Sequence, residues 1–174
     1  MESSTPVFIA QLKGNPTKQR YRATKIFLDH YIDLTYIHWQ KLFSSEEMVE
    51  AKKAFEVYAQ MCKVKVKHYH ADYGRLVDNT FQQSVTQEIQ TTSYCRVNAH
   101  FQNGKAGKRI RDLQEQTRKQ LHHVKGILPS AVELALWTFS LRQETHLKNC
   151  LPDKLDASYK LKRFPKTSVS PNPR

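Results

Sequence analysis

Gln102-Asn103-Gly104-Lys105-Ala106-Gly107-Lys108-Arg109-Ile110 opens the longest helical pattern in the chain. Behind it Ile110, Leu113, Leu121 and Val124 fall on one helical face, which predicts a helix of about 20 residues from Asn103. Gly126 and Pro129 are its expected stop. Gly107 stands 35 positions after Asp72, in the segment His70-Ala71-Asp72-Tyr73-Gly74. Residues 64–70 alternate valine with lysine and lead into Asp72, so they read as a strand. In open α/β sheets, groups at the carboxyl ends of strands converge on one site. Asp72 and the first turn of the long helix are therefore expected to be neighbours.

The remaining pattern supplies the rest of such a sheet. Residues 23–28 and 34–40 are β-branched and aromatic, and Asp29-His30-Tyr31-Ile32-Asp33 separates them as a tight connection between two strands. Ser44 and Ser45, followed by Glu46 and Glu47, announce a helix that carries Met48, Ala51, Phe55, Tyr58 and Met61. Residues 79–90 predict a shorter helix capped by Asn79, with Phe81 and Val85 inward, and residues 91–97 a short strand. Ser130 is expected to cap a last helix through Asn149. Its Val132, Leu134, Leu136, Trp137, Phe139 and Leu141 lie on more than one side, which predicts burial. Residues 1–22 read as an irregular lead-in, because Pro6 and Gly14-Asn15-Pro16 interrupt them and a basic cluster closes them. Residues 154–174 are basic and proline-containing and read as a disordered tail, leaving residues 1–153 as one domain. The element order predicts a mixed α/β sheet covered by helices.

Charge narrows the partner. In 174 residues, 28 Lys and Arg oppose 16 Asp and Glu, a net +12, which favours a polyanion and nucleic acid first. The excess is concentrated between Lys105 and Lys125, where Lys105, Lys108, Arg109, Arg111, Arg118, Lys119 and Lys125 face only Asp112 and Glu115. Lys108, Arg111 and Arg118 share one helical side and are expected to follow phosphates without reading bases. The bland alternative is a solvated face opposite a core face. No apolar run approaches the roughly 18–20 residues of a membrane span, so no membrane partner is expected. Three widely spaced cysteines imply no disulfide framework and fit an intracellular setting. Cys62 with His68 and His70 matches no common zinc spacing.

Several segments together resemble the catalytic core of copia-class retrotransposon integrases, over roughly residues 1–153. They are Tyr21-Arg22-Ala23-Thr24, Phe27-Leu28-Asp29-His30-Tyr31, His68-Tyr69-His70-Ala71-Asp72, Gln102-Asn103-Gly104, Arg109-Ile110-Arg111-Asp112-Leu113, Ala135-Leu136-Trp137 and Asn149-Cys150-Leu151-Pro152. The resemblance implies an RNase H-like fold and DNA strand transfer by two Mg²⁺ or Mn²⁺ ions. Three carboxylates would hold these ions, since hard cations need oxygen ligands. It also implies work in oligomers and, for a functional protein, in the nucleus.

The departures bear on that chemistry. Asp72 matches the second triad aspartate, but Gly107 occupies the position of the glutamate and Tyr73 that of the usual asparagine. The resemblance places the first aspartate on a strand just ahead of Met1, so the first strand is expected to be missing or incomplete. Asp29 and Asp33 are the available substitutes, and Asp29 is read as turn chemistry. Glu115 would lie about 12 Å along the helix from position 107, at ~1.5 Å per residue, too far to substitute. The expectation is a core-like domain that retains nucleic-acid binding, with Asp72 as a weak, incomplete metal site. A chain that starts too late, or a non-catalytic subunit that dimerises through its helices, are the alternatives.

Overall fold

Residues 4–13 form the central strand of the sheet. The structure is a computed structural model that describes residues 4–71, 79–95, 104–129, 136–152, 159–160 and 164. Its elements are β1 (Ser4–Lys13), β2 (Ala23–Asp29), β3 (Thr35–Gln40), α1 (Ser45–Met61), β4 (Lys65–Ala71), α2 (Asn79–Gln87), β5 (Thr91–Tyr94), α3 (Gly104–Ile127) and α4 (Trp137–Cys150). The sheet order is β3-β2-β1-β4-β5. β1 runs antiparallel to β2 and parallel to β4, with Val7 opposite Asp29 and Ile9 opposite Ala71. The expected irregular lead-in is overturned over residues 4–13, where the first strand, expected to be missing or incomplete, is present. A proline lacks the N–H that a central ladder needs. Here the ladder shifts register between Thr5 and Pro6.

Alternation along β1 divides the core between two layers. Val7 and Ile9 join Phe27, Tyr69, Met48, Phe55, Phe81 and Val85 on the α1–α2 side. Leu12 joins Ile26, Leu113, Trp137 and Leu141 on the α3–α4 side. β2 is buried along its whole length because both layers cover it. α1 begins as its sequence predicts, with the Ser44 side chain accepting the Glu47 amide at 3.3 Å.

A polar network lies inside the first layer. Lys52, fully buried, pairs with Glu56 at 2.9 Å, and the Tyr69 hydroxyl donates to Glu56 at 2.8 Å. Burial, and then Glu56, push the Tyr69 hydroxyl well above the usual tyrosine range.

The second layer depends on one close approach. A Cβ on Gly14 would lie 2.4 Å from the Trp137 ring, so only glycine fits. The Trp137 indole N–H donates to the Asn15 carbonyl at 2.6 Å and fixes the β1–β2 connection on α4. Asn149 ties the other end of α4 to β3, accepting from the Thr35 amide at 2.9 Å and donating to its carbonyl at 2.7 Å.

Three further expectations change. Val124 and Phe139 are exposed, although the periodicity put both inward. Phe164, in the segment read as disordered, is buried in the first layer and stacks on Tyr58 at 6.0 Å. Ser130, Val132 and Leu134 lie outside the described residues, as do Asp72, Tyr73, Gln102 and Asn103.

Candidate nucleic-acid interface

The first turn of α3 is anchored to the connection between β2 and β3. Asp29 organises that connection: its Oδ1 accepts the amides of Tyr31 at 3.0 Å and Ile32 at 2.7 Å. This is the turn role its sequence context predicts. Asp33 follows in the left-handed region, at φ 58°. Its carboxylate meets Lys105 Nζ at 2.7 Å and Arg109 at 3.8 Å, and its carbonyl accepts from Arg109 at 3.4 Å. Lys105 also donates to the His30 carbonyl. Burial lowers the Arg109 pKa from the ordinary arginine value, opposed by the charges of Asp33 and Asp112. Lys105 and Arg109, expected among the phosphate contacts, thus hold the helix to the sheet.

The opposite side of α3 is open. At 100° per residue Gly107, Lys108, Arg111 and Arg118 fall within one sector, and all four are exposed. Lys108, Arg111 and Arg118 have no ion pair among the described residues. Lys119 is exposed too, but it pairs with Glu115 at 2.6 Å, which holds that carboxyl below its ordinary value. Among the described residues, the exposed cations without an ion pair on this side are therefore Lys108, Arg111 and Arg118, with Lys125 seven residues further on. Nothing lies within 4 Å of a Cβ added at Gly107. The fold leaves room for a glutamate there and has no packing need for glycine.

The acidic side of the expected chemistry is sparse. β1 carries no carboxylate, and beside Ala71 at the end of β4 it presents Ile9 and then Ala10. Asp33 is committed to Lys105 and Arg109. Asp29 Oδ2 is buried without a partner among the described residues, a single oxygen where a two-ion centre needs several. No group of three His, Cys, Asp or Glu able to hold a metal occurs among the described residues. Asp72 lies outside them. Among the described residues, the donor set does not fit the pair of Mg²⁺ or Mn²⁺ ions that the resemblance implies. His68 lies 2.7 Å from both Thr91 Oγ1 and Ser93 Oγ, and His70 2.7 Å from Ser93 Oγ. Cys62 caps α1 instead.

Sequence reasoning missed Thr117 and Trp137 as lining residues of a cleft against β1, together with Leu12, Lys13, Arg118 and Leu121. Thr117 falls on the α3 core face by periodicity, which was the available signal.

No family model matches the sequence, and no curated protein matches it. Solved structures do. A chain of the simian T-cell lymphotropic virus intasome in complex with PP2A regulatory subunit B56 gamma superposes with a TM-score of 0.71 at 11% identity. The match covers 100% of this chain and 57% of that one. The HTLV-2 integrase catalytic core domain in complex with magnesium, in its trimeric form, gives 0.60 at 14% identity, covering 93% and 97%. Its dimeric form gives 0.60 at 14%, covering 94% and 98%. With the strand order and helix layers above, the chain has the RNase H-like fold of integrase catalytic cores.

Proposed function

We propose that the chain is an integrase-core-like domain from a copia-class retrotransposon polyprotein that binds duplex DNA and does not catalyse strand transfer. The exposed trio Lys108, Arg111 and Arg118, on a helix whose acid position is Gly107, carries the reading. The motif resemblance supports the class, and the integrase-core fold supports the superfamily. A lone Asp72 would bind Mg²⁺ too weakly to fix two ions, because Mg²⁺ releases its waters reluctantly. Lys105 and Arg109 drop out of the phosphate contacts, while Lys119 contributes at the edge. A nuclear site of action follows if the DNA is chromosomal.

Fluorescence anisotropy of a duplex across several salt concentrations tests the reading. Each phosphate contact adds a slope of about 0.9 to log affinity against log salt, so Lys108→Gln, Arg111→Gln and Arg118→Gln together should remove about 2.7. An unchanged slope would reduce this face to ordinary solvated charge.

A second reading, self-association through the helices, is favoured by the apolar surface between α3 and α4. Val124 and Phe139 are exposed there and line a common cleft. The HTLV-2 cores are described as dimeric and trimeric. Sedimentation should then show a dimer that Phe139→Lys dissociates; a monomer at all concentrations sinks this reading.

A further inference from the structure

We propose that the cleft between the β1–β2 connection and helices α3 and α4 receives a single nucleotide unit, the base inside and its phosphate on Arg118. The site rests on the duplex-binding reading only for its DNA-borne source; a free nucleotide needs no duplex.

Four observations converge. The cleft has a volume of ≈210 Å³, below the roughly 300 Å³ at which pockets begin to take drug-sized ligands, so it suits one ring system. Leu12 and Leu121 line it with apolar surface and Trp137 with an aromatic one, which favour a planar ring. Thr117 lines it as well and is only 7% exposed, yet its hydroxyl has no hydrogen-bond partner among the described residues. A buried hydroxyl left unpaired is destabilising, whereas valine of the same shape would fill a helical core position without that cost. The hydroxyl points to a polar atom supplied from outside, as a base edge would supply it. Finally, Arg118 is exposed at the rim, where its guanidinium can hold one phosphate.

Arg118 also belongs to the exposed cationic side of α3. A strand tracked along Lys108 and Arg111 thus reaches the cleft at its third cation, where an unpaired terminal nucleotide can leave the stack and enter. Unstacking costs least for a base that is already single-stranded.

The whole chain is titrated with AMP while tryptophan emission is followed; the two tryptophans are Trp137, in the cleft wall, and Trp39, edge-on to it at 5.7 Å. Ribose 5-phosphate serves as the base-free control. In parallel, anisotropy compares a blunt duplex with the same duplex bearing a one-nucleotide overhang. AMP should quench saturably and ribose 5-phosphate should not. The overhang should tighten binding at least about fivefold, the low end for one base–aromatic stack. Thr117→Val should remove most of that advantage, and Arg118→Gln should weaken AMP. Trp137 is left intact because Gly14 and Asn15 depend on it. Absence of saturable quenching, equal effects of AMP and ribose 5-phosphate, equal affinity for the two duplexes, or an undiminished advantage in Thr117→Val would each overturn the proposal. Quenching by AMP without any duplex binding would instead sink the duplex reading and keep this site. Equal, salt-dependent binding of both duplexes would do the reverse.

Discussion

The two faces of the sheet solve the same burial problem with different materials. On the α1–α2 side, stacked rings and a buried ion pair hold the layer: Phe27 lies on Phe55 at 4.8 Å, and Lys52 pairs with Glu56 under Tyr69. On the α3–α4 side the buried apolar cluster is smaller among the described residues, and a tryptophan against a glycine holds the chain in place. That side keeps its charge outward, in Lys108, Arg111 and Arg118, and leaves a cleft against β1. The first face is specialised for stability. The second leaves surface and volume for a ligand.

The largest effect should come from the first face. Lys52→Met leaves Glu56 without its cation, and breaking a buried pair from one side costs about 3–5 kcal/mol. Glu56 is 20% exposed and keeps the Tyr69 hydrogen bond, which favours the lower end. Urea denaturation measures it. Lys119→Met, at the exposed pair with Glu115, should leave the midpoint unmoved, and a comparable loss at both pairs would erase the contrast between the faces.

Gly14→Ala probes the second face. The new methyl must displace the Trp137 ring, and overpacking of this kind costs about 1–3 kcal/mol. Thermal unfolding should show the loss together with a shift in tryptophan emission. An unchanged melting temperature would mean that the β1–β2 connection yields freely and that Trp137 does not fix it.

Gly107→Glu should have the smallest effect on stability and the opposite sign. An exposed helical glycine costs roughly 0.5–1 kcal/mol relative to alanine, so its replacement should stabilise modestly. It should also weaken duplex binding slightly by adding an acid beside the cationic trio. It should not create strand transfer in Mg²⁺ or Mn²⁺, since β1 still lacks a carboxylate. Turnover in this single variant would contradict the catalytic reading directly.

Much of this architecture was legible in the chain. The β-branched runs gave β2 and β3, Ser44 gave the start of α1, and the periodicity from Asn103 gave α3 with Lys108, Arg111 and Arg118 on one side. β1 was not legible, because Pro6 and Gly14-Asn15-Pro16 argue for loop, while a register shift at the proline and the Trp137 contact at the glycine supply the actual reasons. Val7-Phe8-Ile9-Ala10 was the available signal, a continuous apolar run typical of a strand covered on both faces. The division of the α3 cations was hidden for a different reason. Lys105 and Arg109 take their partner from Asp33, far away in sequence, and no local pattern announces such a pairing. The Lys52–Glu56 spacing looks like any surface i,i+4 pair, and only the closing of β4 over it reveals a buried one.

The stack of Phe164 on Tyr58 has a consequence for the order in which the molecule is made. Hairpins β1–β2 and β2–β3 join neighbouring stretches and close short loops, so they form early at small entropic cost. Their covering does not. Trp137 reaches back to Asn15, Asn149 to Thr35 and Phe164 to Tyr58, each across more than 100 residues. During synthesis from the amino terminus, the sheet therefore waits with both layers unfinished until residues 137–164 have left the ribosome, exposing Leu12, Ile26 and Tyr58 in the interval. Residues 137–164 thus close a sheet built more than 100 residues earlier.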